Sequence, residues 1–224
     1  MRVLAFQHYP TEPMGYIEDI LEREGVEFEY VRLYEQECPS FEDLKSLKCT
    51  HLVFMGGPMG VYEEEKYPFL KKEKEIIRRA HKEGIPVIGF CLGAQLIASA
   101  LEKRVYPFKK ELGWFEVVKV KEDIVTKGLP EKMRVFQWHG DTFELPDDAV
   151  FLYRGEEVPN QAFRAGKCVG LQFHLEVTEE IVRTWLRDEE MSKEEKEKVL
   201  KDTEKYVKKA NELCEVFVKN FLEL

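Results

Sequence analysis

The segment Ile85-Pro-Val-Ile-Gly-Phe-Cys91-Leu-Gly-Ala-Gln-Leu-Ile-Ala98 constrains this chain more than any other. A short β-branched and aromatic run passes through Gly-x-Cys-x-Gly directly into an apolar helical pattern, with no room for a loop. Such a junction is the building unit of a sheet whose strands are joined by crossover helices. A turn this sharp holds its central residue at strained dihedrals, and the flanking glycines let backbone approach closely. Cys91 is then presented at the carboxyl edge of the sheet, where open α/β sheets place ligands. The free N–H groups and dipole of the helix end favour a negatively charged sulfur, the nucleophilic form. Taken alone, the same residues also describe a buried apolar cysteine.

The rest of the first half repeats this rhythm. Val3 to Gln7, Glu27 to Leu33, His51 to Met55 and Ile85 to Phe90 read as strands, and Gly15 to Glu24 and Tyr67 to Glu83 as amphipathic helices. The alternation predicts an α/β fold, a mostly parallel open twisted sheet with helices on both faces. After Leu101, β-like segments follow one another without helices: Trp114 to Val120, Val135 to Trp138, Phe151 to Arg154, Gln161 to Arg164 and Val169 to Phe173. This second half is expected to be β-rich and antiparallel. Thr178 to Arg187 and Lys193 to Leu222 read as helices, the latter with an apolar stripe of Val199, Tyr206, Leu213, Val216 and Phe217 that should pack on the body. Without repeats or linkers, one domain is expected over residues 1–224: an α/β body over 1–177 and a helical extension over 178–224.

Charge and cysteine usage remove several classes of function. A net charge of −9 argues against a nucleic acid partner, and the lysines of the C-terminal region alternate with glutamates as on a solvated helix face. The run from Gly84 to Leu101 approaches membrane-spanning length, but Pro86, Gly89, Gly93 and Gln95 divide it into strand, turn and helix. No membrane association is expected, and the first residues lack the pattern of an export signal. Five widely spaced cysteines without Cys-x-x-Cys suit a reducing cytoplasm, with neither disulfides nor a structural metal. No phosphate-binding Gly-x-x-x-x-Gly-Lys loop occurs, and no cofactor is expected.

A thiolate nucleophile needs a proton shuttle. Val169-Gly-Leu-Gln-Phe-His174-Leu-Glu176 supplies one at the end of a strand-like run, where residues two apart point to the same side. Glu176 can hold one imidazole nitrogen of His174 while the other faces Cys91. In Met55-Gly-Gly-Pro58-Met-Gly60, another turn at a strand's carboxyl end, the Gly57 N–H can join that of Leu92 in facing an oxyanion. A bare Gly-Gly-Pro is otherwise only a turn.

These elements, in this order, resemble the class I glutamine amidotransferases, most closely the amidotransferase portion of GMP synthase and its stand-alone relatives. The resemblance spans roughly Val3 to Val177 and rests on Gly56-Gly57-Pro58, Gly89-Phe-Cys91-Leu-Gly93-Ala-Gln95, Trp138-His-Gly-Asp141 and Gln172-Phe-His174-Leu-Glu176. It implies a flavodoxin-like fold, with Cys91 attacking the γ-carboxamide of glutamine, His174 carrying the proton and Glu176 orienting His174. It further implies an oxyanion hole of Gly57 and Leu92, a substrate contact from Gln95, and His139 and Asp141 as pocket support. Leu175 stands where the family usually has proline, a change that removes no catalytic group. The chain carries no recognisable ATP-binding loop, so GMP synthesis by it alone is not expected; ammonia would pass to a separate synthetase. Hydrolysis of another γ-glutamyl compound, a catalytically silent regulatory domain, and a protease with a similar cysteine elbow are the alternatives.

Overall fold

The computed structural model describes residues 1–224. Its strands are β1 Arg2–Gln7, β2 Glu27–Arg32, β3 His51–Phe54, β4 Val87–Phe90, β5 Val105–Lys119, β6 Lys132–Phe143, β7 Val150–Arg154, β8 Asn160–Ala165 and β9 Cys168–Leu171. The helices are α1 Tyr16–Arg23, α2 Phe41–Ser46, α3 Phe69–Glu83, α4 Leu92–Ala100, α5 Glu179–Arg187 and α6 Lys193–Leu222. All nine strands form one sheet in the order β2-β1-β3-β4-β9-β8-β7-β5-β6. From β2 to β9 the pairs are parallel, and from β9 to β6 antiparallel, as the change of sequence rhythm after Leu101 predicts.

Central position follows from composition. Every residue of β3, β4 and β9 is buried, whereas β2 exposes Glu27, Glu29 and Arg32 and takes the parallel edge. One face of the sheet is covered by α1, α5 and α6, and the other by α2, α3 and α4, each face with its own apolar cluster. Helix α6 contributes Val207, Ala210, Cys214, Phe217 and Phe221 to the first cluster. Full burial of a Phe side chain there stabilises by about 1.5–3 kcal/mol. Tyr206 and Val216, expected in its stripe, are only partly buried, because the helix settles with the Val207 and Cys214 side inward.

Register then aligns three strand ends. Phe54 pairs with Gly89, and Gly89 with Gly170, so β3, β4 and β9 release their chains from the same sheet edge in the same direction. Those chains are the Gly56-Gly57 turn, Cys91 and the Gln172–Glu176 segment.

Two elements differ from the sequence expectation. The hairpin β5–β6 is much longer than 114–120 and 135–138, because its added part is polar and exposed around Phe108, Lys109 and Lys110 and carries no alternation. Helix α2 is too short for an apolar stripe, although Ser40 and Asp43 form a capping box at its start.

Candidate active site

Cys91 sits between β4 and α4 with φ 50° and ψ −105°, a left-handed backbone that a side-chain-bearing residue rarely adopts. The turn closes only because its neighbours lack side chains. A Cβ on Gly89 would lie 2.2 Å from the Gly93 carbonyl carbon, and one on Gly93 would lie 2.1 Å from the Phe54 carbonyl oxygen. The Cys91 N–H donates to Leu171 O at 2.8 Å, tying the elbow to β9. Its Sγ donates to Trp138 O at 3.5 Å and accepts from Gln172 Nε2 at 3.6 Å.

The segment after β9 brings in the imidazole. His174 forms an isolated antiparallel bridge with Phe136 of β6, and its Nδ1 donates to Glu176 Oε1 at 2.6 Å. Burial works against charge on His174, but the Glu176 carboxylate and the Cys91 sulfur outweigh it and hold its pKa well above the ordinary value. Trp185 of α5 stands edge-on to the ring, with centroids 5.0 Å apart, and donates from Nε1 to Thr11 O at 2.6 Å.

The backbone around Glu176 is fixed from two sides. Its carbonyl accepts the Tyr16 N–H at 2.8 Å, at the start of α1. From α6, the Asn211 side-chain amide donates to Leu175 O at 2.9 Å and Val177 O at 3.0 Å, one on each side of Glu176. Leu175 is itself fully buried.

The Gly56-Gly57 turn faces this group. A Cβ on Gly56 would lie 3.5 Å from His174 Cε1, and one on Gly57 would lie 2.8 Å from a Leu92 methyl. Neither the Gly57 N–H nor the Leu92 N–H has a hydrogen-bond partner within the protein, the latter being a free donor at a helix start. A cavity of about 310 Å³ opens in front of them, lined by Gly57, Pro58, Cys91, His174, Trp138 and Trp185 together with Tyr9, Thr11, Glu12, Thr184, Asp188 and Glu189. Desolvation, with Glu176 nearby and offset in part by His174 and His8, pushes the Glu12 carboxyl up to about 7.

Cys91, His174, Glu176, Gly57 and Leu92 thus converge on one cavity. Gln95 does not line it: its Nε2 donates to Gln172 Oε1 at 3.2 Å, and so reaches Cys91 only through Gln172. His139 and Asp141 also lie outside it. His139 Nε2 meets Glu111 Oε2 at 3.0 Å within a buried network that includes Gln161 and Gln137, and the Asp141 side chain lies beside Tyr62. Sequence reasoning missed Glu12, Gln172, Trp185 and the Trp138 carbonyl. No group of three or more His, Cys, Asp or Glu side chains could hold a metal ion, and no helix is long and apolar enough to cross a membrane.

A strained cysteine elbow, a His–Glu pair and two free N–H groups on an open α/β sheet define a thiol-dependent type of acyl-transfer site. The family model described as glutamine amidotransferase class-I matches residues 15–190, and the chain belongs to that family. A glutamine-hydrolyzing GMP synthase of Thermomicrobium roseum is 34% identical over 136 residues, 60% of this chain but 24% of that protein. The chain spans about a quarter of the length of such curated relatives. A shorter relative, one separate subunit of the glutamine-hydrolyzing GMP synthase from Pyrococcus abyssi, is 32% identical over 155 residues, covering 65% of this chain and 79% of that one. A crystal structure of a glutamine amidotransferase from Thermotoga maritima superposes with a TM-score of 0.90 at 36% identity, covering 100% of this chain and 99% of the other. A second, from Methylobacillus flagellatus, gives 0.88 at 27%, covering 99% and 94%.

Proposed function

We propose that this chain hydrolyses the side-chain amide of glutamine through a covalent glutamyl thioester on Cys91. Sγ attacks the amide carbon, and the oxygen becomes an oxyanion facing the N–H groups of Gly57 and Leu92. His174 gives its proton to the amide nitrogen, and the C–N bond breaks to release ammonia. Water, deprotonated by His174, then attacks the thioester, and glutamate leaves as Sγ is restored. Glu176 fixes the imidazole with its Nδ1–H inward and Nε2 free for the shuttle. Gln172, held by Gln95, steadies the sulfur.

The observation that carries this reading is the convergence of three neighbouring strand ends on one cavity, bringing nucleophile, shuttle and oxyanion donors together. The likeness to a protein named as one subunit of GMP synthase supports a separate synthetase as consumer of the ammonia. A second reading, cleavage of a γ-glutamyl compound with a substituted amide nitrogen, is favoured by Trp138, Trp185, Asp188 and Glu189, which give the cavity more wall than a primary amide requires.

The test is ammonia and glutamate release from L-glutamine by purified protein beside a panel of γ-glutamyl amides, with Cys91→Ala as control. Release from glutamine that disappears in the variant is the expected result. Turnover of a substituted amide alone promotes the second reading, and retained hydrolysis in Cys91→Ala overturns the thioester.

A further inference from the structure

Of the two oxyanion donors, the Leu92 N–H is aimed by the helix that it begins, whereas the Gly57 N–H belongs to no regular element. Two successive glycines leave their shared peptide unit little resistance to rotation. Something outside the turn must set its direction.

We propose that His8, backed by Glu73, is a positioning residue for the oxyanion hole, holding the Gly56 carbonyl and thereby aiming the Gly57 N–H into the cavity. The inference rests on the reading of Gly57 as an oxyanion donor. His8 directly follows β1, and its Nδ1 lies 3.0 Å from Gly56 O. A carbonyl only accepts, so Nδ1 carries the hydrogen. Gly56 O and the Gly57 N–H belong to one trans peptide plane and point in opposite directions. A hydrogen bond that fixes the oxygen on the protein side therefore fixes the N–H on the other side, toward Cys91 and the cavity.

Glu73, on α3, approaches the second ring nitrogen, with Nε2 and Oε1 2.9 Å apart. The side chains of His8 and Glu73 are both wholly buried, and Glu73 Oε2 has no other partner. Burial lowers the affinity of His8 for a second proton, but the charge and hydrogen bond of Glu73 more than restore it, leaving its pKa raised. The bond to Gly56 O is thus charge-assisted, which strengthens it and polarises the peptide so that the Gly57 N–H becomes a better donor. A purely structural ion pair would have no reason to commit its other ring nitrogen to this one carbonyl.

The experiment compares the wild-type protein with the double variant His8→Leu/Glu73→Leu, which strands no buried charge, and with Glu73→Gln, which keeps the His8 bond but removes the charge. Circular dichroism and thermal unfolding first establish that each is folded. For the double variant, kcat on glutamine is expected to fall about 10- to 100-fold with KM within about threefold, short of outright loss of a donor at about 10²–10³. Glu73→Gln is expected to recover most of that loss. Alkylation of Cys91 by iodoacetamide develops no oxyanion, so its rate should stay within about twofold in all three proteins. A folded double variant with unchanged kcat overturns the inference and leaves the thioester reading intact, as does a loss that appears equally in alkylation. A wild-type protein silent on glutamine and on the γ-glutamyl panel overturns both.

Discussion

Glu176 uses only one of its two carboxylate oxygens: Oε1 accepts the His174 Nδ1–H at 2.6 Å, while Oε2 is buried without a partner. A carboxylate held this way is bound to the protein chiefly through the imidazole it serves. Its burial keeps the local dielectric low, so its charge acts on His174 with little screening.

Glu176→Gln is therefore expected to lower kcat roughly 10²-fold while leaving measurable turnover, since an amide can favour the wrong imidazole tautomer but does not remove the shuttle. Steady-state kinetics on glutamine check this. Activity unchanged by the substitution would leave the His174–Glu176 bond without a catalytic role.

The same pair makes a statement about stability. His174 has a raised pKa in the folded state, so its imidazolium–carboxylate pair contributes stability fully present below the unfolded value of about 6.5. That contribution is lost as pH rises through the elevated folded value. Melting temperatures of wild type and Glu176→Gln should accordingly be furthest apart below about pH 6.5 and draw together toward alkaline pH.

The elbow should yield opposite results in function and stability. Cys91→Gly abolishes turnover, and at φ 50° it relieves a strain of about 1–3 kcal/mol, so melting should rise by a few degrees over wild type. Cys91→Ala, which keeps a Cβ in the same conformation, is expected to be equally inactive without that gain. Differential scanning calorimetry separates the two, and a Gly variant no more stable than Ala would show that the elbow stores no strain.

Glu12 sets a titration inside the cavity. Its carboxyl is pushed up to about 7, so between about pH 6 and 8 it acquires a negative charge that favours the His174 imidazolium. In Glu12→Gln the inflection near pH 7 in kcat/KM should vanish, and the alkaline limb should move to lower pH. Superimposable profiles would place Glu12 outside the proton balance of the site.

The parallel half of the sheet was readable because its strands are continuous apolar runs bounded by glycine, and because the Cys91 junction allows few alternatives. The His174 and Glu176 relationship was readable from a spacing of two on extended chain. What could not be read depends on contacts remote in sequence. Gln172 reaches a sulfur 81 positions away, and Trp185 reaches the Thr11 carbonyl across 174. Nothing local distinguishes either from an ordinary buried residue. Gln95, one helical turn beyond Cys91, was correctly placed on the helix, but spacing alone could not show that another glutamine stands between it and the sulfur. The exposed end of the β5–β6 hairpin carries too little apolar alternation to announce a strand.

The two hydrogen bonds from Asn211 give α6 a bearing on when, in the life of the polypeptide, the site becomes competent. Asn211 follows Cys91, His174 and Glu176 in chain order, so a nascent chain holds every reactive group before it holds the clamp across Leu175 and Val177. Until α6 docks, the segment carrying the carboxylate is tethered only through α1 and the bridge to β6. The elbow can form early, from residues adjacent in sequence, but the proton relay is completed only by long-range closure. Amide cleavage is in this way coupled to the end of folding, and a thiol exposed on a half-made chain is kept from acting as an unguarded hydrolase.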